Sequence, residues 1–358
     1  MILGDLIKEL ADRLDAKNVD DETVKSLFRR KINESYKEIA RIFKWEHLKR
    51  AGELIIRANY SIGTVSITQG SRTVTGSSTA WTASMVGRYF QSSASGNWYR
   101  IIRFVSSSEL TLQSPVIESG QSGLTYTICQ RIYYLPSDVR TVKLMGKWIA
   151  PGEIEARSEN YLQDLTQNIL TTGEPEDFAP YGSDQFESSY TQGTVGLTIN
   201  NNLMTGIGTA WFDNVEAGDI VNISGKIFRV KRVESDTRII LLNYSTISVP
   251  VATYSIEKDV RVGFSFYPSA GADYIIPYSY YKRAFDMVND DKDRPELPED
   301  FDIAIIDGAE ASRMRDLDDA KWIQKQLEFT ARIKDLRATN AVHTQRNQQV
   351  RPVILKRS

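Results

Sequence analysis

The chain has little of what catalytic and metal chemistry most often uses. Of its 358 residues one is cysteine and two are histidine. Cys129 alone can form neither an intrachain disulfide nor a thiolate metal site. It lies in the apolar run Thr127-Ile128-Cys129, which reads as a buried inert thiol. His47 and His343 are so far apart that neither a histidine-based metal site nor a Ser-His-Asp triad has support. No apolar run approaches the roughly 20 residues of a membrane span. The first residues carry Asp5 and Glu9, where a signal peptide would carry basic charge. Charge of one sign is lacking too: 44 basic residues face 46 acidic ones, a net of −2, so no global signature for nucleic acid is present. These absences predict a soluble, cytosolic product with no cofactor, no metal and no membrane partner.

What the chain does have is a duplication. Gly63-Thr64-Val65-Ser66-Ile67-Thr68 leads to Thr75-Gly76-Ser77-Ser78-Thr79-Ala80-Trp81. At a constant offset of 130 residues, Gly193-Thr194-Val195-Gly196-Leu197-Thr198 leads to Thr205-Gly206-Ile207-Gly208-Thr209-Ala210-Trp211. The agreement continues through Tyr99-Arg100-Ile101 and Phe228-Arg229-Val230, then through Leu110-Thr111-Leu112 and Ile239-Ile240-Leu241. Each copy closes on Tyr-x-Ile, at Tyr126 and at Tyr254. Val, Ile, Thr and aromatics broken by Gly, Ser, Asn and Pro are strand-and-turn chemistry. Residues 63–130 and 193–256 are therefore predicted to be two small all-β modules, each a sandwich or barrel of roughly five to six short strands. So short a module buries little surface and calls for a packing neighbour. Trp81 and Trp211 could stack on sugars, but retention at the same place in both copies favours a core plug.

The remainder reads mostly helical. Ile2, Leu3, Leu6, Ile7, Leu10 and Leu14 recur at helical spacing. Asp20 or Asp21 can cap a second helix presenting Val24, Leu27, Phe28, Ile32, Tyr36 and Ile39. Between the modules, Val142-Lys143-Leu144 is strand-like and Glu155 to about Leu170 looks helical. After them, Arg261–Pro268 and Ala272–Tyr281 read as an antiparallel hairpin about Ser269-Ala270-Gly271. An acidic linker, Asp286 to Asp293, precedes Pro298 at a helix start. One long helix or a helical pair follows, on Ile303, Ile306, Ala309 or Glu310, Met314 and Leu317, then Trp322, Ile323, Leu327, Ile333 and Leu336. Residues 340–358 are Asn/Gln-rich and free of acid, with an apolar plug at Val350-Arg351-Pro352-Val353-Ile354-Leu355. Such a segment cannot fold alone and suggests ordering on a partner. The divisions are 1–62, 131–192 and 257–339 for the frame, 63–130 and 193–256 for the modules, and 340–358 for the tail.

No motif supports catalysis. Asp290, Asp291 and Asp293, like Asp316, Asp318 and Asp319, read as solvated surface rather than paired acid and base. Asp290-Asp291-Lys292-Asp293 lacks the glycine and distal glutamate of a calcium loop. Gly206-Ile207-Gly208 is a turn between strands and not a phosphate cradle. The basic residues Arg100, Arg103, Arg229, Lys231 and Arg232 could face a channel, or pair with Glu216 or Asp219 of a neighbouring subunit.

The order of the frame pieces resembles tailed-bacteriophage head-to-tail adaptors, the connector or neck ring beneath the portal. The resemblance rests on Lys31-Ile32-Asn33-Glu34-Ser35-Tyr36 leading to Phe43-Lys44-Trp45, on Tyr134-Leu135-Pro136-Ser137-Asp138 with Thr172-Gly173-Glu174-Pro175, and on Asp293-Arg294-Pro295-Glu296-Leu297-Pro298. It implies an α+β chain: a helical adaptor core interrupted by two homologous β modules, with a flexible C-terminal tail. It also implies a structural virion protein, made in the host cytoplasm, that forms a dodecameric ring. That ring docks on the portal, offers a platform to tail or nozzle proteins, and passes double-stranded DNA during packaging and ejection with at most weak salt-dependent contacts. Val350, Arg351, Pro352, Val353, Ile354 and Leu355 would make the portal contact. A receptor- or glycan-binding fibre or decoration protein using the β modules is the alternative, and a cell-wall hydrolase has the least support.

Overall fold

The computed structural model of the chain describes residues 1–16, 20–146, 154–158, 172–184, 189–212 and 214–349. Strands account for 38% of it and helices for 24%. The expectation of a helical core carrying two small inserts is therefore overturned: the frame itself is half sheet. Among the described residues no helix is long and apolar enough to cross a membrane.

The helices come from the two ends of the chain. α1 (Leu3–Arg13) and α2 (Glu22–Ile42) pack on α3 (Asp302–Asp316) and α4 (Trp322–Gln349). Leu3, Leu6, Leu10, Ile32, Tyr36, Ile39, Trp45, Ile305 and Ile306 are buried in their common cluster. Asp21 caps α2 by accepting from Thr23 N at 2.7 Å. Ile2 offers α1 no such acceptor, so Leu3 N and Gly4 N donate to the carbonyls of Asp293 and Asp290 at 2.9 and 2.8 Å, satisfying N–H groups that a helix start leaves orphaned. Buried acids on α3 are paired: Asp307 with Arg13 at 2.8 Å and Arg332 at 2.6 Å, Glu310 with Lys325 at 3.1 Å. α2 and α3 approach so closely that a Cβ on Gly308 would lie 2.3 Å from Ser35 Oγ and 3.0 Å from the Phe329 ring.

Two sheets form the other half of the frame. One orders Lys49–Ile56, Tyr274–Lys282 and Val139–Met145; the other orders Glu155–Ala156, Asp177–Asp184, Arg261–Tyr267 and Ile132–Tyr134. They share one apolar cluster that includes Ile56, Tyr133, Leu135, Phe264, Phe266, Ile276 and Tyr278. Arg261–Tyr267 and Tyr274–Lys282 are thus in different sheets and do not form the expected hairpin. Ser269–Ala270 between them pairs in parallel with Thr172–Gly173, so the chain crosses from one layer to the other there. Glu155 and Ala156 are in a strand against Asp177 and Phe178, not at a helix start; the rest of that predicted helix, 159–171, lies outside the described residues. Sheet and helices are joined by Arg140, which donates to the carbonyls of Ala40 and Arg41 at the end of α2, where a helix favours positive charge.

Each duplicated segment is a closed barrel of seven strand segments, the last two running on as one stretch, so that six staves close it. In the first the order is Gln121–Leu124, Thr64–Ile67, Thr73–Ser77, Glu109–Leu112, Tyr99–Ser106, Tyr89–Ser92, Tyr126–Cys129. The outermost two strands are consecutive in sequence, parted only by Thr125, so one extended stretch pairs with both edges and leaves neither open. The second barrel repeats the order with Val249–Ala252 and Tyr254–Glu257 as its closing stretch, and adds Ser189–Tyr190 beyond. At the chain's end α4 runs to Gln349. It takes in the first part of the segment predicted to be an extended tail, consistent with helix formers such as Ala341, Gln345 and Gln348.

Gly308→Val tests the helix contact. Overpacking there is expected to cost about 1–3 kcal/mol, read as a lower midpoint in urea denaturation followed by circular dichroism, while Ser35→Gly in the same background restores part of the loss.

Candidate functional site

The element most specific to this chain is the turn that ends in tryptophan, and both copies build it from the same contacts. Trp81 and Trp211 are 2% and 0% exposed and sit in the apolar clusters of their barrels. A buried indole N–H needs an acceptor. Trp81 Nε1 donates to Tyr126 OH and Trp211 Nε1 to Tyr254 OH, both at 2.9 Å. Each tyrosine hydroxyl in turn donates a hydrogen bond to a backbone carbonyl where the chain enters the barrel, Ile62 O at 2.5 Å and Gln192 O at 2.6 Å. A second tyrosine, Tyr60 or Tyr190, accepts from Ala80 N or Ala210 N at 2.8 and 2.6 Å. Burial raises the Tyr126 hydroxyl pKa well above its usual value and pushes that of Tyr254 up to about 12, so both stay protonated donors. The glycine five residues before each tryptophan has no room for a side chain. A Cβ on Gly76 or Gly206 would come within 2.8 or 2.6 Å of the indole.

The copies differ in how they meet the frame. Barrel 2 is bedded. Arg261, on a frame strand, donates to Asp219 and Glu216, and Lys258 reaches Asp219 at 2.8 Å. Asp219 is wholly buried, and Ser137 Oγ donates to the neighbouring Gly218 carbonyl at 2.9 Å. Burial weighs against the Arg261 charge, but Glu216 and Asp219 outweigh it and hold its pKa above the ordinary arginine value. Arg229 pairs with Asp259 at 2.6 Å and lies over the Phe285 ring. Asp219 and Glu216 are thus occupied within their own chain, which corrects the expectation that they pair with a neighbouring subunit's strands. Arg232 is held by Glu234 at 2.7 Å.

A second contact fixes the far side of the same barrel. Asp293 accepts from Asn243 Nδ2, Tyr244 N, Val288 N and Asn289 N at 2.7–3.0 Å. Asn289 Nδ2 donates to Asn200 Oδ1 and Ser245 O, both at 2.9 Å. Asn33 on α2 closes the joint by exchanging two 2.9 Å hydrogen bonds with the backbone of Met287. Asp293 is 5% exposed, so the reading of this acidic segment as solvated linker fails for it, while Asp290 pairs with Arg29 at 2.8 Å. A cleft of about 530 Å³ runs beside the joint, lined in part by Tyr36, Lys231, Tyr244, Phe285 and Glu296. With Asp293 saturated by four donors, it is a seam between barrel and frame.

Barrel 1 has neither junction. Between described residues, no hydrogen bond runs from its 63–128 strands and loops to the frame beyond the Tyr60 and Ile62 lead-in. The loop equivalent to 243–247 is 114–118, and it is held from within: Glu118 accepts from Ser95, Asn97 and Tyr99. Burial opposes the Glu118 charge, but these donors lower its pKa to about 2. The predicted docking residues Val350 to Leu355 lie outside the described residues. No protein-family model matches the chain, and no curated protein matches its sequence.

Trp81→Ala and Trp211→Ala are each expected to cost about 3–5 kcal/mol, against about 1–3 kcal/mol for Tyr126→Phe or Tyr254→Phe, which leave the indole N–H without its acceptor; chemical denaturation followed by tryptophan fluorescence separates them. Asp219→Ala leaves Arg261 buried beside a single, half-exposed carboxylate and is expected to cost about 3–5 kcal/mol, whereas Glu118→Gln leaves the frame untouched and shifts only barrel 1.

Proposed function

We propose that the protein is a non-catalytic head-to-tail adaptor of a tailed-phage virion. It would assemble as a ring on the portal, receive tail or nozzle proteins, and let double-stranded DNA pass. The observation that carries this reading is the division of labour in the fold. The two ends of the chain and the segment between the barrels build one frame of helices and sheets, and that frame holds two copies of a closed barrel as insertions between its strands. The segments whose order resembles adaptors, at 31–45, 134–138 and 293–298, all belong to that frame. Its buried charges are taken up in joints, as at Asp219, Asp293, Asp307 and Glu310, which suits a part that carries load between neighbours. The buried indole faces of Trp81 and Trp211 count against the glycan-binding alternative, which would need another surface.

Native mass spectrometry and negative-stain microscopy with purified portal test the proposal. A closed ring capping the portal is expected, and a variant lacking 350–358 should keep the ring and lose portal binding. A monomer that ignores portal and binds glycans would overturn it.

A further inference from the structure

The two barrels correspond strand by strand through their pairing, and at one end their charges are opposite. Tyr89 lies across from Arg100 and Cys129; Ile220 lies across from Arg229 and Glu257. The same backbone bonds flank both positions: Ile101 N donates to Arg88 O and Val230 N to Asp219 O, each at 2.9 Å. Arg88 in barrel 1 therefore stands where Asp219 stands in barrel 2. Two residues beyond Cys129 is Arg131, where barrel 2 has Asp259, and Met85 stands in place of Glu216. Barrel 2 balances Asp219, Glu216 and Asp259 against Lys258, Arg261 and Arg229. Barrel 1 has replaced all three acids and kept the arginine.

Arg88 is 8% exposed. Its hydrogen bond is from Nε to Ser84 O at 3.2 Å, and no described carboxylate forms an ion pair with it. The acid whose charge acts on it, Asp273, is engaged by Arg57 at 2.8 Å and by Ala58 N at 2.8 Å. Arg131 lies over the Tyr89 ring at 5.5 Å, and the cation that acts on Arg88 is Arg57. A guanidinium stays charged at any physiological pH, and a buried charge without a counter-charge is strongly unfavourable. Its planar fork is made to receive two oxygens of one anion.

We propose that this end of barrel 1, centred on Arg88, is an oxyanion site that takes a carboxylate or phosphate group. The source is either a free anion or an acidic side chain of a second copy of this chain. The site does not depend on the adaptor reading.

The test uses the full-length protein, Arg88→Met and Arg88→Lys, with inorganic phosphate and acetate against chloride at matched ionic strength. Wild type should gain roughly 2–6 °C in Tm over Arg88→Met at saturating anion, a difference that cancels general salt effects, and Arg88→Lys should retain part of it. Arg88→Met in anion-free buffer should be no less stable than wild type, because it removes an uncompensated buried charge. On wild type alone, the Arg88 Nε–H resonance should move and saturate with phosphate, so the proposal stays testable if the methionine variant fails to fold. If the occupant is instead a second copy, sedimentation across a dilution series should show association that Arg88→Met weakens by about tenfold or more. An Arg88 resonance unmoved by both anions, together with self-association unaffected by the substitution, would overturn the proposal.

Discussion

A polar hydrogen inside a small barrel has to be answered, and here the answer determines where the chain enters and leaves. The indole N–H of Trp81 is satisfied by Tyr126, on the closing strand, and Tyr126 is satisfied by the carbonyl of Ile62, on the way in. Trp211, Tyr254 and Gln192 repeat the relay. One buried donor therefore ties the entry, the tryptophan turn and the exit into a single knot. Insertion between two frame strands requires that the ends of the insert lie together, and this relay enforces it from within. The paired backbone of Tyr60 with Ile128, and of Tyr190 with Ile256, extends the same seam toward the frame. Closure of the sheet by one doubled strand then removes the free edges that a displayed β module would otherwise offer to other chains.

The relay is kept while core side chains vary in size, as at Phe90 and Val221, and the copies differ most in how their polar loops are held. Loop 243–247 gives its polar groups to Asp293 and Asn289, and the equivalent loop in barrel 1 gives them to Glu118. Asp219 answers a frame arginine, and its counterpart is itself an arginine. The same backbone thus carries one barrel bedded by buried polar joints and one that, among the described residues, has no equivalent joints. Desolvated polar joints of the first kind specify one orientation, since any slip leaves several buried donors and acceptors without partners.

How much of this was legible in sequence follows the range of the interactions. The tryptophan turn was readable because Gly76, Thr79 and Trp81 act on one another within five residues, and the duplication displayed the pattern twice. Asp21 as a helix cap was readable for the same reason. The frame was read as too helical because its strands find their partners far away: Lys49–Ile56 pairs with Tyr274–Lys282, and Ile132–Tyr134 with Arg261–Tyr267. The Ser269-Ala270-Gly271 turn gave a sound local hairpin signal that the distant partners overrode. Helix α3 hid its buried face because Asp307 and Glu310 are buried along with Ile305 and Ile306, which flattens the periodicity. Asp293 looked solvated because nothing nearby in sequence announces the barrel loop that buries it.

That last residue bears on what the molecule can do. Asp293 joins α1 through its carbonyl, the 286–293 segment through its carboxylate, and barrel 2 through Asn243 and Tyr244. A displacement of barrel 2 would therefore strain the start of α1 and, through Met287 and Asn33, the middle of α2. Barrel 1 has no such route among the described residues, so a force on it would be taken at Tyr60 and Ile128. Among the described residues, barrel 2 is therefore coupled to the helices through side chains that each answer more than one element, and barrel 1 through its lead-in backbone and Arg131 over Tyr89.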